Sequence, residues 1–145
     1  MNAYSFVQQL HSGFRYIVLV LFIYTILMAF LGWLGKRPYT NGNRLSNLFA
    51  LISAHTQLLI GIVLYFLSPL VAFNSTTMKD PVTRYFTVEH WVMMVIALVL
   101  ITIGHSKSKK VVLPERKHKT IALFYTVGLL IIIGTLAVGK ISIFK

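Results

Sequence analysis

Four long apolar runs separated by shorter polar links organise the chain. They cover residues 16–34 (YIVLVLFIYTILMAFLGWL), 48–67 (LFALISAHTQLLIGIVLYFL), 85–103 (YFTVEHWVMMVIALVLITI) and 121–138 (IALFYTVGLLIIIGTLAV). A helix needs about 20 apolar residues to cross a bilayer, and each run has that length. Alternation with period two is absent, which argues against a transmembrane barrel. The pattern predicts an all-α fold, an integral-membrane up-down four-helix bundle forming a single domain over residues 1–145. The first fifteen residues are polar and amphipathic and carry no cation before Arg15. They read as the start of the first helix in a chain that is mature at Met1, not as a cleaved signal peptide.

The links set the orientation. The first, GKRPYTNGNR, carries Lys36, Arg37 and Arg44, and its Pro38 and Asn41-Gly42 predict a turn. The third, HSKSKKVVLPERKHK, carries Lys107, Lys109, Lys110, Arg116, Lys117 and Lys119. Nine of the 14 Lys and Arg residues therefore fall on one side. The other side, with the second link SPLVAFNSTTMKDPVTR and both termini, holds Arg15, Lys79, Arg84, Lys140 and Lys145. The positive-inside rule puts the first and third links in the cytoplasm and makes the chain N-out and C-out. The third link suits anionic lipid headgroups, or serves only as the topology signal.

Composition narrows the class further. The chain is 57% hydrophobic and 12% charged, which excludes both a water-soluble globule and a disordered chain. The net charge of +11 is carried mostly by the links between apolar runs, a membrane pattern and not a nucleic-acid one. With 0 Cys there is no disulfide, thiolate metal site, iron–sulfur cluster or covalent haem attachment.

Ionisable groups at membrane depth mark function by default. Here they are Arg15, His55, Glu89 and His90, with His11 one turn before Arg15. His11 and Arg15 share a helix face as an i, i+4 pair. His11 and His90 lie near the same membrane surface on different helices, at depths about 5–10 Å apart by residue counting. Two such histidines are a usual way to ligate haem b, with Arg15 and Arg84 as cations for its propionates. Phe14, Tyr16, Tyr85, Phe86 and Trp91 suit the macrocycle or an interfacial aromatic belt. Glu89 suits an ion pair with either arginine, or a proton carrier. His55 in SAHTQ lies about 10–15 Å from the cytoplasmic end and is expected to face the bundle interior. With Gln57 it suits a quinone headgroup, a proton relay or a further haem ligand; the bland alternative is a helix-linking hydrogen bond. His105 and His118 read as solvated link residues. Met93-Met94 reads as core filling. Gly61, Gly104, Gly128 and Gly134 permit close helix approach or room for a flat cofactor.

The stretches HSGFRYIVLVL, SAHTQLLIGIVLYFLSP and VEHWVMMVIALVLITIGHSKSKK resemble the small four-span proteins of Bacteroidota labelled "cytochrome B". More distantly, the chain is similar to one four-helix half of haem A synthase. The resemblance covers most of the chain. It implies bound haem b and a place in electron transfer or haem handling, with His11, His55 and His90 at the matching positions. The chain departs from diheme membrane cytochromes, in which two helices carry stacked histidine pairs. Only one span offers a pair here, His90 and His105, and His105 falls in or beside the third link, so two haems are not expected.

These observations predict a small b-type cytochrome with one haem between His11 and His90, serving a membrane redox partner or quinone. Two rivals use the same residues. One is a cofactor-free interaction or assembly subunit, as a homo-oligomer or within a larger complex. The other is a proton or solute pathway through Glu89, His90 and His55. Electron transfer is better supported than catalysis, since no nucleophile–base constellation or phosphate loop is present.

Overall fold

The computed structural model describes residues 2–139. Four long helices dominate it: α1 (Ala3–Leu34), α2 (Asn41–Leu67), a composite third crossing and α5 (Pro114–Val138). The third crossing joins a single turn, α3 (Pro81–Arg84), to a π-helical turn (Tyr85–Glu89) and then to α4 (His90–Lys110). All four crossings are long and apolar enough to span a membrane, so the chain is a multi-pass membrane protein. Lys140 and Lys145, counted above towards the outer face, lie outside the described residues.

The helices overrun the apolar runs because their ends are capped beyond them. Asn2 accepts a hydrogen bond from Ser5 N at 2.8 Å, so α1 begins well before the apolar run, as the amphipathic start predicts. Thr40 and Asn43 form a reciprocal capping box. The Asn41-Gly42 pair, expected as a turn, is therefore the first turn of α2. Asp80 caps α3, with Pro81 following. The Thr83 hydroxyl donates to the Asp80 carboxylate, and this holds its pKa below the usual value. The cap is thus fully present above the ordinary carboxylate pKa and is lost only as pH falls through the lowered one.

The third link is much shorter than its composition suggests. Only residues 111–113 are non-helical. Pro114 starts α5 and holds Leu113 extended, at φ −70° and ψ 131°. The lysines sit on helix ends: Lys117 Nζ donates to Ser108 O at 2.7 Å, closing the last turn of α4.

α1 packs on α2 and α5, and α5 packs on α4. α2 and α4 touch far less, and α1 and α4 occupy opposite corners. Phe22, Ala50, Ala97, Ile101, Ile121, Ala122 and Tyr125 are fully enclosed at the centre. The Phe22 and Tyr125 rings stack at 5.1 Å, and Tyr125 Oη donates to Asn47 O. Gly104 and Gly128 let α4 and α5 approach, since a Cβ at either would collide with Phe124 or Ile101. Gly134 faces open space and does no such work. Met94 packs on the core, whereas Met93 is exposed.

His105 and His118 correct the sequence reading. Both are buried on helices, at 5% and 2% exposure. His118 lies against Gly32 of α1 and donates from Nε2 to Pro38 O at 3.2 Å. Tyr39 meets its ring edge-on at 5.2 Å, and burial raises the Tyr39 pKa. His118 thus ties the first link to α5. Both ring nitrogens of His105 are buried without a hydrogen-bond partner among the described residues.

Candidate functional site

The end of the bundle opposite the basic links is closed by the loop 68–80 and by the π turn. The loop is stitched down through Thr87, whose Oγ1 accepts from Ala72 N and whose carbonyl accepts from Tyr65 Oη at 2.7 Å. Trp91 Nε1 also donates to Thr87 O.

An α-helix places residues five apart on different faces, whereas a π turn bonds i to i+5 and stacks them. Two such pairs follow directly. Arg84 Nε meets Glu89 Oε1 at 2.6 Å, and Tyr85 Oη meets His90 Nδ1 at 3.2 Å. The Tyr85 hydroxyl has one hydrogen and gives it to Thr135 O of α5 at 2.9 Å. Towards His90 it can only accept. His90 Nδ1 therefore carries the ring proton, and the lone pair of a neutral imidazole lies on Nε2.

His90 meets His11 across the bundle from the opposite corner. The two ring centres are 6.4 Å apart with planes at 80°. For comparison, Tyr85 and Phe86 touch edge-to-face at 5.0 Å, although their rings are larger. The imidazoles thus stand apart. Imidazole nitrogens bind first-row metal ions at about 2 Å, and a ring centre lies about 1 Å behind its nitrogen, so two rings flanking one ion stand about 6 Å apart. The depth difference counted from sequence does not keep the rings apart.

Polar atoms around His11 lack partners. His11 Nδ1, Arg15 Nε and Gln57 Oε1 are all buried with no hydrogen bond among the described residues. Gln57 Nε2 donates to His11 O at 2.7 Å, tying α2 to α1 at this level. Gly61, one turn further on, faces the His11 ring, where a Cβ would sit 3.2 Å from Cε1. The Arg15 guanidinium lies over the Tyr16 ring at 5.3 Å with its Nε unmet, and together with two imidazoles and a side-chain-free wall it suits a flat, anionic, iron-bearing group. No group of three or more His, Asp or Glu side chains placed to hold a metal ion exists among the described residues.

The other expected site residues divide differently. Arg84 is engaged by Glu89 and by Met78 O at 3.2 Å, so Arg15 is the arginine with an unused buried nitrogen. Glu89 sits in that ion pair. His55 does not face the bundle interior: its side chain is exposed, and Nε2 reaches across the α2–α4 seam to Thr102 Oγ1 at 3.0 Å. At about 100° per residue the SAHTQ stretch cannot share one face. Ser53 is buried and bonded to Ala50 O, Gln57 points to His11, and His55 points to α4. Tyr85, left above among the aromatics, is the site residue that sequence reading missed, because a five-residue spacing carries no signal in a 3.6-residue pattern.

No protein-family model, curated protein or solved structure matches this chain.

Proposed function

We propose that the chain is a small integral-membrane b-type cytochrome, an electron carrier holding one haem b between His11 and His90. The observation that supports it most is the stand-off of those two imidazoles, 6.4 Å apart on diagonal helices. His90 Nε2 and a nitrogen of His11 would hold its iron. Arg15 would neutralise a propionate, and Gly61 leaves the wall beside His11 flat. Bound there, haem b supplies a one-electron ferric–ferrous couple.

The protein's own contribution is positioning. Tyr85 holds the His90 proton on Nδ1, so the ring presents the correct nitrogen without a tautomer change. The π turn aims Tyr85, and Thr135 anchors the hydroxyl to α5. The Arg84–Glu89 pair neutralises charge beside the site, and the unmet Nε of Arg15 would serve the anion. The resemblance to the Bacteroidota "cytochrome B" proteins points the same way. So does the orientation read from the links, which puts the site near the outer face of a bacterial inner membrane, within reach of a membrane redox partner.

The test is purification after haem-replete expression, with haem counted as the pyridine haemochrome. One haem b per chain is expected. A colourless protein that co-purifies in fixed ratio with a larger membrane complex would instead support an assembly subunit.

A further inference from the structure

We propose that the α2–α4 seam at His55 and Thr102 binds the headgroup of a lipid-soluble quinol, with His55 Nδ1 accepting a hydrogen bond from its hydroxyl. The Thr102 hydroxyl donates its only hydrogen to Leu98 O at 2.7 Å. It must therefore accept from His55, so Nε2 carries the imidazole proton. In the neutral ring Nδ1 is left as a bare acceptor. His55 lies twelve residues from the Leu67 end of α2, or about 18 Å along the helix, within a hydrocarbon core of about 30 Å. Its side chain is exposed, and the exposed neighbours Ile52, Leu59 and Ile62 offer no donor. Acyl chains offer none either. A polar atom left unmet at this depth is costly, and such groups mark ligand pathways.

The occupant must bring a donor into the middle of the bilayer. A second copy of the chain packed symmetrically on this face would bring another His55 acceptor among apolar side chains. An amphiphile with a fixed hydroxyl head keeps that head at the interface. A quinol has a planar ring, two hydroxyls and enough apolar surface to reach this depth. The α2–α4 seam is the loosest contact between neighbouring long helices. Along α2, His55 is six residues from Gly61, so the seam lies about 9 Å from the His11 level. The choice of a quinol over other apolar phenols rests on the electron-carrier reading; the donor-seeking acceptor does not.

This geometry makes binding sensitive to redox state, because the oxidised quinone has carbonyl oxygens and nothing to donate. The full-length protein in lipid nanodiscs would be titrated with a short-tailed benzoquinol held reduced, and separately with its quinone. The quinol is expected to bind about fivefold to tenfold more tightly. His55→Leu should abolish that preference. Thr102→Val, nearly isosteric, removes the group that fixes the proton on Nε2, so the preference should narrow or turn towards the quinone. Equal binding of both forms by the unaltered protein would overturn the proposal, as would a preference that survives His55→Leu. Spontaneous disulfide dimers of His55→Cys in nanodiscs would overturn it too, by showing a second copy on this face. A quinol preference in a protein without haem would sink the cytochrome reading alone. A haem-loaded protein without the preference would sink this one alone.

Discussion

Replacing His90 with alanine should strip haem from the protein while leaving the bundle folded. The imidazole lies at the end of the third crossing remote from the basic links, away from the central cluster around Phe22, Ile101 and Tyr125. Its loss removes no large apolar contact from that cluster. Removing a group that merely hydrogen-bonds a metal ligand costs about 10–100-fold in affinity, so removing the ligand itself should cost at least that much. The haem-to-chain ratio at fixed haem supply would measure it, with circular dichroism reporting helix content. Imidazole added to the variant should restore part of the bound haem. A variant that keeps its full complement and an unchanged spectrum would remove His90 from the site.

Replacing Tyr85 with phenylalanine should also weaken haem binding, by a different route. The ring and the π turn stay, and only the hydroxyl that fixes the proton on His90 Nδ1 is lost. A loss of about 10–100-fold in haem affinity is expected, with helix content preserved. Deleting Val88 should be far milder. One residue fewer leaves Tyr85 and His90 four apart in ordinary α register, still on one face. If Tyr85→Phe binds haem as the unaltered chain does, the hydroxyl has no part in holding the ligand.

The four crossings were legible in the sequence because run length against bilayer thickness is a strong constraint. The pairing of His11 with His90 was legible from topology, since both fall at the same end of an up-down bundle. The partners of the site were not. Tyr85 and His90 meet only because the helix departs from 3.6 residues per turn, and nothing in the apolar pattern marks that departure. His118 was misread because Arg116, Lys117 and Lys119 surround it. A better signal was present: His118 begins the buried stripe that continues through Ile121, Ala122, Tyr125 and Leu129 at helical spacing. His105 likewise follows Ala97, Leu98 and Ile101 along the buried face of α4. For His55, position along the span does not choose a face. Residues two apart point nearly opposite ways on a helix, so Gln57 and His55 serve different neighbours.

The central proposal is that these two imidazoles, whose planes stand at 80° to each other, would hold one haem iron between them. Perpendicular ligand planes leave two iron d-orbitals close in energy, and the unpaired spin of ferric iron then keeps a large orbital moment. Electron paramagnetic resonance of the oxidised, purified protein at liquid-helium temperature reads this directly. A low-spin ferric signal of strong anisotropy, lost in both His11→Ala and His90→Ala, is the predicted result. A high-spin signal, a low-spin signal of weak anisotropy, or one that survives either substitution would contradict it.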